Sequence, residues 1–272
     1  MTPLRPHGAS IGKSPAAALR AGRGGLGGGR LAPAWGAEVV SSNIVGYNKL
    51  TLQAGYNLLG NNWNLVGGGD GLITEVLDTK EVSGLDDEGL FTSQLQLWTG
   101  RGYTYYGWAG FVGDDPDSAP YNYKWLDQST LEPVDIDAPK GTAFWIKTDS
   151  SADVVFSGEV ATEDTISAQV SSGYNLLANP FPETISIQQI QSTNLSGLDD
   201  EGQFTSQLQL WTGRGYTYYG WAGFVGDDPD SAPYNYKWLD MSTLEPVTDV
   251  TLDIGKGFWI QTGSAADITF TK

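Results

Sequence analysis

Two acidic loops stand out among the residues that could do chemistry: Asp114-Asp115-Pro116-Asp117 and, again, Asp227-Asp228-Pro229-Asp230. Clustered carboxylates offer the hard oxygen ligands calcium prefers, and Asn122 or Asn235 with backbone carbonyls would complete a shell. The spacing is not that of an EF-hand, and Asp before Pro also opens ordinary turns. Calcium, held by Asp114, Asp115 and Asp117 and by Asp227, Asp228 and Asp230, is the one cofactor these residues suggest; otherwise none is expected. Asp86-Asp87-Glu88 and Asp199-Asp200-Glu201 read first as solvated loops. A carboxylate pair could also cleave glycosides, with Glu88, Asp127 and Glu132 as nominees, but no spacing marks any two as acid and base.

Other chemistries lack their parts. The chain has no cysteine, which removes disulfides, thiolate nucleophiles and Cys-ligated metals together. Its single histidine, His7, lies in a basic N-terminal stretch, so the rest holds no imidazole for a Ser/His/Asp triad, a zinc site or a near-neutral proton shuttle. The expectation is a protein that is not an enzyme.

Aromatic residues offer binding rather than catalysis. Tyr103, Tyr105, Tyr106 and Trp108 recur as Tyr216, Tyr218, Tyr219 and Trp221. If each segment is a strand, one face fills a core and alternation leaves the other for a ligand, either the apolar face of a sugar ring or a protein surface. The alternative is that both faces are buried between sheets.

The elements that must position these residues follow from period and punctuation. Gln94 and Gln96 alternate with Leu95 and Leu97, the pattern of half-buried strand, and Thr99-Gly100-Arg101-Gly102 reads as a hairpin turn. Only Glu183 to Gln191, with Ile187 and Ile190 three apart, suggests a helix, and a short one. The predicted fold is all-β, two tandem antiparallel β-sandwich or barrel-like domains.

Two domains are expected because the sequence is duplicated. Shifted by 113 positions, residues 83–134 match 196–247 everywhere except Leu90/Gln203 and Gln128/Met241. The flanks match more loosely, as in Gly55-Tyr56-Asn57-Leu58-Leu59 and Gly173-Tyr174-Asn175-Leu176-Leu177. This bounds a first repeat at 37–158 and a second at 159–272.

Residues 1–36 are different in kind: rich in Gly, Ala, Pro and Arg, with five basic residues and no acidic one. No fold is expected there. Their apolar run is too short for a secretory signal, yet Ala34-Trp35-Gly36 ends as a processed junction would, so a misassigned start is favoured over a degenerate export signal or a transit peptide. The remainder carries ten basic against 32 acidic groups, a net of −22. Such a body repels nucleic acid and anionic lipid, and no run of 18 apolar residues is present to span a bilayer as a helix.

The second repeat carries Gly173-Tyr174-Asn175-Leu176-Leu177-Ala178-Asn179-Pro180-Phe181-Pro182, then Leu210-Trp211-Thr212-Gly213 with Tyr216, then Gly255-Lys256-Gly257-Phe258-Trp259-Ile260. This resembles a β-rich repeat module of large exported bacterial surface proteins, which opens with Gly-aromatic-Asn-Leu, carries a Trp-x-Gly-x-x-Tyr hairpin and closes with Gly-x-Gly-aromatic-aromatic-Val/Ile. The first repeat departs from it at Asn61-Asn62-Trp63 and Lys140-Gly141-Thr142-Ala143. The resemblance implies export and a β-rich fold, and brings no catalytic residues.

The expected function is a non-enzymatic exported protein, extracellular or at the cell surface, acting in adhesion or in surface-layer or matrix assembly. Its partners would be a protein or glycan at the cell surface, with self-association among the readings, and neither nucleic acid nor a membrane span. A carbohydrate-binding module is the alternative and a secreted glycoside hydrolase a distant third.

Overall fold

The structure is a computed structural model and describes residues 45–66 and 71–272. The stretch 1–36, the junction at Ala34-Trp35-Gly36 and the start at Ala37 lie outside the described residues. The fold is almost all β, with 44% strand and 6% helix, in small antiparallel sheets set like the blades of a four-bladed propeller.

The first repeat runs through β1 (Val45–Leu52), β2 (Gly55–Gly60), a single helical turn α1 (Ile73–Val76), β3 (Leu77–Asp78), β4 (Gln94–Trp98), β5 (Tyr103–Trp108), β6 (Trp125–Asp127), β7 (Ala143–Thr148) and β8 (Ala152–Glu159). The second runs through β9 (Thr165–Val170), β10 (Gly173–Ala178), β11 (Ile185–Ser186), β12 (Ile190–Gln191), β13 (Gln207–Trp211), β14 (Tyr216–Trp221), β15 (Trp238–Asp240), β16 (Thr251–Leu252), β17 (Gly257–Thr262) and β18 (Ala266–Thr271). Each repeat builds one five-stranded sheet, ordered β2-β7-β4-β5-β6 or β10-β17-β13-β14-β15. Each also builds one three-stranded sheet, β1-β8-β3 or β12-β18-β9, and β11 pairs with β16. None of these sheets draws strands from both repeats.

A corner carries the chain from one sheet to the other, and the Asn of the Gly-aromatic-Asn-Leu opening closes it. Asn57 Oδ1 accepts from Gln53 N at 2.9 Å while its Nδ2 donates to Gln53 O at 2.8 Å. Asn175 does the same with Ser171 N and O. A side-chain amide that mimics a backbone pair fixes the turn, so this motif is structural.

Alternation along β8 sends Ala152, Val154 and Phe156 inward to meet Phe144 and Ile146 of β7 and Leu95 of β4 in the first core. Phe270, Ile268, Phe258, Ile260 and Leu208 form the second core in the same way. Each large apolar side chain fully buried contributes on the order of 1.5–3 kcal/mol.

β7 and β17 are apolar on both faces because the five-stranded sheets also meet each other. Leu58, Ala143, Trp145, Leu176, Ala178 and Trp259 form a third core between the repeats, with Trp98 packing edge-on against Trp259 and Trp145 against Trp211, both at 5.2 Å. The contact has a local two-fold. Gly60 N donates to Gly255 O at 2.9 Å, and Ala178 N donates to Gly141 O at 2.8 Å. At the closest approach Gly faces Ala twice: a Cβ on Gly60 would run into Ala178 Cβ, and one on Gly257 into Ala143 Cβ.

The helix expected over Glu183 to Gln191 is instead a single 3-10 turn, Ile187–Gln189, between β11 and β12. The three-residue spacing of Ile187 and Ile190 fits three residues per turn as well as it fits an α-helix. Pairing with β16 and β18 claims the backbone on either side.

Candidate functional site

Clustered apolar side chains stand exposed in the loops joining β5 to β6 and β14 to β15. Phe111 is 57% exposed, beside Val112 and Tyr123, and Phe224 is 56% exposed, beside Val225 and Tyr236. The Phe and Tyr rings lie 6.2 Å apart in each copy.

One asparagine holds each loop in shape. Asn122 Oδ1 accepts from Val112 N at 2.6 Å and Gly113 N at 3.2 Å, and its Nδ2 donates to Gly113 O at 2.7 Å. Asn235 repeats this on Val225 and Gly226. Tyr123 N then donates to Gly110 O at 2.6 Å, with Tyr123 at φ 56° and Tyr236 at φ 55°. Left-handed backbone at a non-glycine residue costs on the order of 1 kcal/mol and persists only where its surroundings hold it. Here it aims the Tyr ring outward at Phe111.

The acidic residues rim the same loops. Asp115 Oδ1 accepts from Asp117 N and Ser118 N, both at 3.0 Å, and Asp228 does the same with Asp230 N and Ser231 N. The Ser118 hydroxyl, then its backbone N–H, holds the Asp115 carboxyl below the usual carboxylate range, and Ser231 does so for Asp228. Among the described residues, no group of three or more His, Cys, Asp and Glu side chains is gathered as a metal site. Asp114 and Asp227 stand beside these carboxylates in the same exposed loops.

The aromatic strand is divided among several environments. Trp108 and Trp221 are buried in the first and second cores. Tyr106 packs partly buried on the first core and Tyr219 lies in the second. Tyr103 and Tyr216 pack against the cluster between the repeats, and burial pushes their phenols up. Only Tyr105 and Tyr218 of these eight are exposed, at 45% and 44%.

Of the glycosidase nominees, Asp127 caps its own turn, accepting from Ser129 N at 2.8 Å and Thr130 N at 3.2 Å. Glu88 is exposed in the loop that Asp86 closes, and Glu132 is exposed beyond β6.

Phe111, Val112, Phe224 and Val225 escape a reading by strand period because they lie outside the strands. Their signal was compositional: two adjacent apolar residues inside a Gly/Asp-rich loop, Gly110-Phe111-Val112-Gly113-Asp114. Loops are expected to be polar, and this one is not.

A cleft of about 1010 Å³ also opens between the repeats, lined by Tyr56 and Asn57 from the first and by Trp211, Arg214, Asp253 and Lys256 from the second. No family model matches the chain, and neither a curated protein nor a solved structure matches it.

Proposed function

We propose that the chain is a non-enzymatic adhesive or matrix protein of the exported, cell-surface kind, engaging a protein or glycan through two copies of one loop. The observation that carries this reading is the repeated exposed tip, Phe111-Val112-Tyr123 and Phe224-Val225-Tyr236, each held by its asparagine and rimmed by aspartates. Rigid aromatic side chains give contact area at low cost in conformational entropy, and two linked sites raise the effective concentration of the second contact. The acidic rims favour a partner with basic groups around an apolar anchor. They also oppose close pairing of two such tips, so self-association through them should need high salt. The resemblance to modules of exported surface proteins supports the setting.

The test is binding to immobilised extracellular-matrix proteins and to a glycan array. Phe111→Ser and Phe224→Ser should each weaken capture, and the double variant should abolish it. Capture unchanged in the double variant overturns the reading.

A glycan-binding reading is favoured by the cleft between the repeats, whose wall includes Tyr56 and Trp211 beside Arg214 and Asp253. A saturable sugar ligand lost in Trp211→Ala but kept in the loop variants would select it.

A further inference from the structure

The two repeats differ where α1 and the Ile187–Gln189 turn lie near β6 and β15, the end strands of their five-stranded sheets. In the second repeat the Gln188 side chain is fully engaged there: Nε2 donates to Trp238 O at 2.7 Å and Val247 O at 2.8 Å, while Oε1 accepts from Trp238 N at 3.1 Å. Ile187 N bonds Val250 O as Ile73 N bonds Ile136 O, so the position of Gln188 falls to Thr74 in the first repeat. Threonine is too short to reach. It bonds Asp135 weakly instead, at 3.4 Å, and a cavity of about 480 Å³ opens between Thr74, Trp125 and Val134. Among the described residues, no side chain bonds the Trp125 and Val134 groups that Gln188 satisfies in the other copy.

Trp125 differs from its counterpart in its indole as well. It lines the cavity, is 2% exposed, and its indole N–H has no partner. The equivalent indole of Trp238 donates to Ile190 O at 2.8 Å. The carboxamide of Gln188 does not bond that indole in the second repeat, so the site is defined by the backbone groups of Trp125 and Val134.

We propose that the cavity of the first repeat is a binding site for a neutral primary carboxamide on a flexible stem, the chemistry of a glutamine side chain. The carbonyl oxygen accepts from the Trp125 backbone N–H and the amide donates to the Trp125 and Val134 carbonyls, as Gln188 does in the second repeat. The volume admits a whole residue, and Lys80, Lys124, Glu75 and Asp78 at its wall provide for polar ends. A carboxylate of the same shape cannot serve, because it has no N–H to donate and would sit against two carbonyl oxygens.

The test is calorimetric titration of the full chain with N-acetylglutamine methylamide, standing for glutamine in a peptide, and with free glutamine, standing for a metabolite. Saturable binding of one equivalent of either supports the site and tells the sources apart. N-acetylglutamate methylamide should bind at least tenfold more weakly. Thr74→Gln should fill the cavity from within and abolish binding while leaving the circular dichroism unchanged. Gln188→Thr should open the matching cavity and raise the stoichiometry to two; if that variant unfolds, Thr74→Gln alone decides. No saturation by either carboxamide, equal binding of the glutamate analogue, or undiminished binding by folded Thr74→Gln overturns the proposal.

Discussion

Gly60→Ala should destabilise this protein, although glycine to alanine in a strand ordinarily stabilises by about 0.4–1 kcal/mol through the unfolded chain. The sign is reversed by what a Cβ would meet: Ala178 Cβ at a distance no real pair adopts, and Lys256 O at 3.0 Å. Neither neighbour is the free end of a flexible side chain. β2 and β10 must therefore separate, straining the Gly60 N to Gly255 O and Ala178 N to Gly141 O bonds that tie the repeats together. Overpacking of this kind costs about 1–3 kcal/mol. In a folded unit of this size each kcal/mol lowers Tm by roughly 2–4 °C, so a fall of about 2–12 °C is expected. The pairing of Gly with Ala supplies the control. Gly60→Ala with Ala178→Gly moves the methyl to the other side of the contact and should recover the larger part of the loss, the contact with Lys256 O remaining. Thermal melts followed by near-ultraviolet circular dichroism read both, since Trp145 and Trp259 lie in the affected cluster. A single variant that melts at or above wild type, or a double variant whose losses simply add, would refute the close approach of the two sheets.

Acid should destabilise through four turn-capping carboxylates. Asp115, Asp127, Asp228 and Asp240 are held below the ordinary value of 3.8, chiefly by the hydroxyls of Ser118, Ser129, Ser231 and Ser242 and then by backbone N–H groups. A carboxyl whose pKa falls on folding lends stability that is complete above its unfolded value and is lost as pH drops through the lowered one. Tm should hold level down to about pH 5 and then fall, and changing all four to Asn should flatten that limb; an unchanged limb counts against these caps. For calcium, an Asp115 oxygen already taken by two backbone N–H groups predicts a thermal shift in millimolar calcium no larger than sodium chloride gives at equal ionic strength. A larger, calcium-specific shift that disappears in Asp115→Asn and Asp228→Asn would restore the loops as ion sites.

The strands were legible because their causes are local. Gln94-Leu95-Gln96-Leu97 alternates, Gly100 to Gly102 turns, and β4 with β5 forms as the period predicts. The third core was not legible. Trp98 and Trp211 lie on hairpins that look the same whether their outer faces meet solvent or another sheet, and the Gly/Ala complementarity of residues 60, 178, 143 and 257 lets the repeats come close enough to pack them against Trp259 and Trp145. Phe111 and Phe224 were overlooked for the opposite reason: their display depends on a side-chain clamp ten or so residues away, which no period records.

The near-identical segments make the limit of local reasoning concrete. Trp108 and Trp125 have the same neighbours in sequence as Trp221 and Trp238, yet their hydrogen bonds are exchanged. In the first repeat Trp108 donates to Val82 O at 3.1 Å and Trp125 is orphaned; in the second Trp238 donates to Ile190 O and Trp221 is orphaned. Since residues 83–134 and 196–247 are almost the same, the cause must lie in what packs against them. Val82 is replaced by Leu195, and Thr74 by Gln188, both outside the conserved stretch. The copied segment thus supplies two indole donors to each repeat, and the divergent flank decides which is satisfied. A flank free to change while the hairpins stay fixed is a means of giving two copies of one scaffold different cavities, and the first repeat's opening beside Trp125 is the one that results.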